Sequence, residues 1–348
     1  MTPMLSFQVS DEPEILSKIE GHAGVITLSR PKALNALSIP MMREITRLLM
    51  DWKDDPRVRV VILQSGGGKA FCAGGDIRSV YEARLKGDKA FLVAIFQEEY
   101  LLNFMISLYS KPYISLIDGL ALGGGLGISI HGSHRIVTER AMMGMPETGI
   151  GFFPDVGASY FLNRCPGKIG TYLGLSGESI AAEDALYAGL ATHRIDSSDM
   201  PNVYQALGEA HSQDDVDSIL QDAAGGQRDC FLQTHRDLID RCFSFPTIEE
   251  IIEALQQEST PIAQDWLKGI NKKSPTSLKL TLALLRRTKR MPLKETLALD
   301  FSVSQQCVAG HDFFEGIRAV LIDKDHNPCW EPRRLSDVTP EMTQKYFT

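Results

Sequence analysis

Two short glycine-rich segments and a few carboxylates carry the chemistry that this sequence could perform. Phe71-Cys72-Ala73-Gly74-Gly75-Asp76 and Gly123-Gly124-Gly125-Leu126-Gly127 each follow a run of mostly apolar residues. Without a Cβ, backbone can approach a ligand closely and aim its N–H groups inward. Two such turns after consecutive buried strands could direct a pair of N–H donors at one developing oxyanion. Glycine at a strand-to-helix junction is also ordinary turn chemistry, so either segment alone carries little. Met145 to Gly157 adds two acids, Glu147 and Asp155, in an otherwise apolar, glycine-rich stretch. Partial desolvation there would raise a carboxyl pKa toward acid–base use. The competing reading makes Glu147 a turn cap and Asp155 the cap of a helix beginning near Val156. Glu98-Glu99 lies in a helical stretch, where paired charges usually face solvent.

Other chemistries fit poorly. There is no G-x-G-x-x-G at Gly123–Gly127, and Gly68-Lys69 lacks the Ser/Thr and spacing of a phosphate-binding loop. No G-x-S-x-G nucleophile elbow is present, and Ser129 has no evident His/Asp partner. His131 and His134 are three apart with no nearby carboxylate or cysteine to complete a metal site, so no metal is expected.

The elements that must position these residues are legible from periodicity. His22–Leu28 reads as a strand, Ser38 as a helix cap, and Met42, Ile45, Leu48, Leu49 and Trp52 as one helical face ending at Asp54-Asp55-Pro56. Val58–Leu63 is a buried strand leading into Gly66-Gly67-Gly68 and the first turn. Val80–Tyr109 is helical in two pieces split near Gly87-Asp88, and Asp76 would cap it. Tyr113–Ile117 is a strand running into the second turn, Ile128–His131 looks helical, and His134–Thr138 is a further strand. Buried strand, glycine turn and helix thus recur in kind, an α/β arrangement without true repeats. Beyond about Asp196 the strand signals stop. Asp199–Asp229 is polar and acidic, and the remainder reads as amphipathic helices. The expected division is a core over residues 1–196 and a helical region over 197–348 packed on it.

Composition narrows the setting. With 43% hydrophobic and 23% charged residues, 348 residues can build an ordinary core without staples. A formal charge of -8 argues against nucleic acid as a partner. Six scattered cysteines, none in a C-x-x-C pair, point to a reducing compartment. No apolar run of 18 residues stands out, so a membrane span is not expected. The acidic N-terminus lacks a basic start and apolar stretch. A cytoplasmic location follows, or the mitochondrial matrix if the chain is a trimmed mature form.

These residues resemble a known family. Phe71–Ile77, Ala121–Gly125, Arg30-Pro31-Lys32-Ala33-Leu34-Asn35-Ala36-Leu37 and Pro146-Glu147 are similar, in order and spacing, to the crotonase (enoyl-CoA hydratase) superfamily over about residues 20 to 195. The resemblance implies a crotonase-like spiral of ββα units with a mainly helical C-terminal region. It implies an acyl-CoA substrate whose carbonyl oxygen lies between the N–H groups of Gly75 and Gly124. CoA would run along Lys32, Ala33 and Leu34 and along Ala73 to Ile77, including Asp76. Hydratases carry a glutamate shortly after the second turn's glycines, and here Gly127 stands in that position. Asp155, Glu98-Glu99-Tyr100 and the long C-terminal region instead resemble the branch that hydrolyses short 3-hydroxyacyl-CoA thioesters in valine breakdown. By that resemblance Glu99, Gly124, Glu147 and Asp155 are the substrate-site residues, and Glu147 and Asp155 carry the hydrolysis, Glu147 as nucleophile or general base and Asp155 able to exchange parts with it. No cofactor is implied, since CoA is part of the substrate. The superfamily's frequent trimers and hexamers leave room for a homo-oligomer. The alternatives are a hydratase or isomerase of the same fold, and a non-catalytic assembly subunit.

Overall fold

A computed structural model describes residues 13–225 and 229–348; most of the N-terminal segment read for a leader lies outside them. Strand β1 (Ile15–Glu20) pairs antiparallel with β2 (Ala23–Leu28). Then β2, β3 (Val60–Ser65), β5 (Tyr113–Ile117), β7 (His134–Val137) and β10 (His193–Arg194) run parallel in one six-stranded sheet. A second sheet holds β4 (Ala70–Cys72), β6 (Leu120–Leu122), β8 (Met142–Gly144) and β9 (Ser179–Ala181). Each turn of the spiral therefore climbs from a long strand of the large sheet to a short strand of the small one and then into helix.

Both faces of the large sheet are covered, which is why its central strands read as unbroken apolar runs. Val61 and Leu63 of β3 face the main core, while Val60 and Ile62 face a second cluster with Val203, Leu207, Val216 and Leu220. Those last four belong to two helices, Met200–Gly208 and Gln213–Asp222. The acidic stretch after Asp199 thus carries narrow apolar stripes that seal the outer sheet face.

Helix α1 (Ile39–Lys53) is capped by Ser38, whose hydroxyl accepts the Met41 N–H. The long helical stretch divides at Gly87-Asp88 into α2 (Ile77–Lys86) and α3 (Lys89–Ser107), capped by Asp76 and Asp88. By length and composition α3 could cross a membrane, contrary to the expectation that no such run exists. It is half-buried against the core, and its inward face includes Glu99 and Asn103. Helix α4 (Gly124–Ile130) starts four residues before the helix expected at Ile128. Glycines at 124, 125 and 127 mask it in sequence, since each is a poor helix former. Gly125 is required by packing: a Cβ there would lie 2.3 Å from the Cys72 carbonyl oxygen.

After Arg194 the described chain is helical. Helix Leu293–Ala309 lies in the main core through Leu297, Val303, Cys307 and Val308, beside Phe96 and Leu102 of α3. All six cysteines are free thiols.

Candidate active site

The Arg30–Leu37 segment builds one wall. Leu34 and Asn35 adopt left-handed backbone (φ 52° and 56°), which turns the Asn35 amide inward to donate to the Ala70 and Phe71 carbonyls, both at 3.1 Å. The two segments are then laced together: Ala73 N–H donates to Leu34 O at 3.0 Å, Leu37 N–H to Gly74 O at 2.8 Å, and Asp76 N–H to Leu37 O at 2.9 Å. Asp76 also pairs with Arg30 at 2.8 Å and caps α2 through Ser79 N–H. The lacing occupies the amides on either side of Gly75 and leaves its own N–H without an acceptor among the described residues. Leu34 is thus joined to Ala73 and Leu37 to Asp76, with Lys32 and Ala33 in the turn before Leu34 and Ile77 opening α2 after Asp76. Leu34 is 43% exposed, unusual for leucine in so constrained a turn.

The second turn meets the first edge to edge. Gly123 has φ 49°, starting α4 so that the Gly124 N–H, at the positive end of the helix, also lacks an acceptor among the described residues. A Cβ on Gly124 would sit 3.2 Å from the Gly75 nitrogen, so the two free donors lie side by side. That is the arrangement an oxyanion needs.

Carboxyls close over this pair. The Gly124 Cβ position is only 2.1 Å from Glu99 Oε1, and that of Gly123 is 2.6 Å from Glu147 Oε1. Glu99, Glu147 and Asp155 are all less than 8% exposed. Tyr100, next to Glu99 on α3, donates its hydroxyl to Asp155 Oδ2 at 2.6 Å. Glu99 Oε1 and Glu147 Oε2 have no hydrogen-bond partner among the described residues. Glu98 turns outward to Arg43, so the adjacent acids divide between solvent and site. The reading of Asp155 as a helix cap does not hold: the helix begins at Ala158, Gly157 takes the cap position, and the Asp155 carboxylate goes to Tyr100. Nor does the Glu147 side chain cap the short 3-10 turn that it opens.

Burial sets the electrostatics. Desolvation pushes Asp155 up to about 6, with the Tyr100 hydroxyl restraining the rise. Glu99 and Glu147 are raised well above the usual carboxylate range, first by burial and then by the charge of Asp155. The rings of Phe96, Phe152 and Phe313, at centroid separations of 4.4 to 6.5 Å, are part of the apolar surroundings. Burial and the neighbouring acids thus make it costly for all three carboxyls to be ionised at once.

Three neighbours were not assigned roles from the sequence. Asn103 lies one helical turn beyond Glu99 on α3, a spacing that could have flagged it, and Tyr100 is the residue next to Glu99. Asn103 is fully buried, with neither polar side-chain atom partnered among the described residues. Asp300 comes from the distant Leu293–Ala309 helix and accepts the Gly157 N–H at 2.8 Å; no local pattern announces it. The two histidines have structural partners, His131 with the Val156 carbonyl and His134 with Asp217. At Gly127 a Cβ would lie 2.9 Å from Val156 Cβ and 3.1 Å from Asn103 Nδ2, so the position has no room for a side chain.

Two strand-to-helix turns with adjacent free amides, roofed by buried acids on a ββα spiral, define an enzyme of the crotonase fold. The sequence profile described as enoyl-CoA hydratase/isomerase matches residues 23–347, and the chain belongs to that family. Among curated relatives, the Rattus norvegicus protein named 3-hydroxyisobutyryl-CoA hydrolase, mitochondrial, is 45% identical over 345 residues, covering 97% of this chain and 89% of that one. The Homo sapiens protein of the same name is 45% identical over 341 residues, covering 96% and 88%. Among solved structures, a carnitinyl-CoA dehydratase from Mycobacterium thermoresistibile superposes with a TM-score of 0.92 at 37% identity, covering 97% of each chain. An enoyl-CoA hydratase from Rhodobacter sphaeroides gives 0.90 at 37% identity with the same coverage.

Proposed function

We propose that this protein hydrolyses the thioester of 3-hydroxyisobutyryl-CoA, and of the related 3-hydroxypropionyl-CoA, to the free acid and CoA. One observation carries the reading. Glu99, Glu147 and Asp155 converge on the paired turns, whereas position 127, which holds the hydratase's first acid, has no space for one. The names of the near-full-length relatives supply the acyl group and a mitochondrial location for those proteins. The place in valine breakdown, and the matrix in a eukaryotic source, follow from the family resemblance.

The carbonyl oxygen sits between the N–H groups of Gly75 and Gly124, with CoA along Lys32–Leu34 and Ala73–Ile77. On one route Glu147 takes a proton from water as the water adds to the carbonyl carbon, and the tetrahedral oxyanion collapses to expel CoA thiolate, which takes that proton. On the other the Glu147 carboxylate adds, thiolate leaves, and water then cleaves the mixed anhydride to the free acid and Glu147, its proton going to the thiolate. Loss of one oxyanion donor in such a site costs about 3 kcal/mol. Asp155 and Glu99 hold the substrate hydroxyl and place the water. The route uses carboxyls, backbone amides and water, with no added cofactor. Sedimentation tests the homo-oligomer that the superfamily resemblance implies.

The deciding experiment is free-thiol release from 3-hydroxyisobutyryl-, 3-hydroxypropionyl- and acetyl-CoA, with fast release expected for the first two. Glu147→Gln should lose roughly a hundredfold; unchanged turnover would remove Glu147 from the mechanism. The second reading, hydration, draws on the names of the two structural neighbours. Rapid loss of crotonyl-CoA's conjugated absorbance without thiol release would establish it in place of hydrolysis.

A further inference from the structure

Asp155 is presented by an unusual turn. Val156 has φ 51° and Gly157 φ 80°, two consecutive left-handed residues, the first of them β-branched and therefore strained. Such a turn persists only where its surroundings over-determine it. Its ties are specific. Ala158 N–H donates to the Asp155 carbonyl at 2.7 Å. The His131 ring lies 2.8 Å from the Val156 carbonyl, which can only accept, so Nε2 carries the proton. Gly157 N–H donates to Asp300 Oδ2 at 2.8 Å. Leu293, at the start of the helix that carries Asp300, closes on Gly157, where a Cβ would lie 2.8 Å from its Cδ1.

Asp300 is an odd choice for a packing position. It is fully buried and its Oδ1 has no partner among the described residues. Burial, and then the charge of Asp155, hold its carboxyl well above the usual carboxylate range. A buried carboxyl with a single neutral donor stabilises less than an apolar residue of similar volume would. Its value lies in the amide it captures.

We propose that Asp300 is a positioning residue for Asp155: by accepting the Gly157 N–H it locks the strained Asp155–Gly157 turn and so aims the Asp155 carboxylate into the site. This rests on the hydrolase reading for its catalytic consequence and on geometry alone for the clamp. The C-terminal helices thereby complete the active site of the core.

The test compares two near-isosteric changes. Asp300→Asn keeps an oxygen for the Gly157 N–H, whereas Asp300→Leu removes it. Because a displacement near 1 Å can cost on the order of a hundredfold, Asp300→Leu should lower kcat about 30-fold or more with KM within about threefold. Asp300→Asn should stay within about threefold of wild type in both, with an unchanged pH profile. Hydrogen exchange of peptides spanning Gly157 should accelerate in Asp300→Leu and stay protected in Asp300→Asn. Asp300→Ala replaces the leucine variant if that one does not melt cooperatively. Unchanged kcat in the acceptor-less variant, unchanged exchange there, or a loss in Asp300→Asn equal to that in Asp300→Leu would each overturn the proposal. If the wild type releases no thiol, the substrate reading falls instead, and the exchange comparison still decides the clamp.

Discussion

Asp155→Asn should raise the stability of the protein at neutral pH while nearly silencing it. Asp155 is 6% exposed, and burial lifts its pKa from 3.8 to about 6. A carboxyl whose pKa is raised on folding binds its proton more tightly in the folded state. Its favourable contribution is complete below pH 3.8 and is lost as pH climbs through about 6. The two-unit rise corresponds to about 3 kcal/mol of disfavoured charge at pH 7.5, of which roughly half is present at pH 5. Asparagine keeps an oxygen for the Tyr100 hydroxyl and carries no charge, so the variant should recover most of that energy. With an unfolding entropy near 2 cal/mol/K per residue, a chain of 348 residues melts about 4 °C higher per 3 kcal/mol. Melting of wild type and variant at pH 7.5 and pH 5 should show a gain of that order at the higher pH and about half of it at the lower. Thiol release should fall by roughly a hundredfold in parallel, as for loss of an acid–base group. A variant no more stable than wild type at pH 7.5, or equally stabilised at both pH values, would refute the reasoning.

Tyr100→Phe removes the hydroxyl that restrains the Asp155 pKa, so the acidic limb of kcat/KM should move upward from about 6; an unmoved limb would detach Tyr100 from the titration. Gly124→Ala drives a Cβ to 2.1 Å from Glu99 Oε1, whereas the Gly75 Cβ position stays 3.7 Å from Glu99 Oε2. Steady-state kinetics should therefore show the 124 variant far more damaged than the 75 variant, and the reverse order would contradict the geometry. Gly127→Glu must displace Val156 and Asn103, so it should lower the melting temperature with a cost of about 3 kcal/mol or more and gain no crotonyl-CoA hydration. Single turnover in 18O-labelled water distinguishes the two roles of Glu147: an unlabelled first product reports attack by the carboxylate, a labelled one reports base catalysis.

The sequence carried the glycine turns well because only glycine tolerates what happens there: Gly74 at φ 105°, Gly123 at φ 49°, and a carbonyl 2.3 Å from the Gly125 Cβ position. It carried the long strands for a similar reason, both faces of β3 being covered. The strands of the second sheet escaped residue-level reading because β4, β6, β8 and β9 are three residues each, too short to show a period. Helix α4 was late by four residues because its first turn is glycine. Asp300 was invisible for a different reason. Its partner lies 143 residues away, and an aspartate on an amphipathic helix reads as a solvent-facing residue until packing turns it inward.

A cluster of Glu99, Glu147, Asp155 and Asp300, each raised by burial, is a poor way to stabilise a fold. Natural chains keep such groups where activity offsets the cost. The cost also explains the ties around them. An acid that prefers water must be held by Tyr100, by a turn fixed through His131 and Asp300, and by a wall of phenylalanines. Hydration and hydrolysis then diverge at one position. A carboxyl at 127 would have to occupy the space that Val156 takes, and Val156 is there because the turn presenting Asp155 is strained into the left-handed region. The room for the hydratase acid and the turn that aims Asp155 are the same space. On the hydrolase reading proposed above, the turn that places Asp155 leaves no room at 127 for the hydratase's first acid.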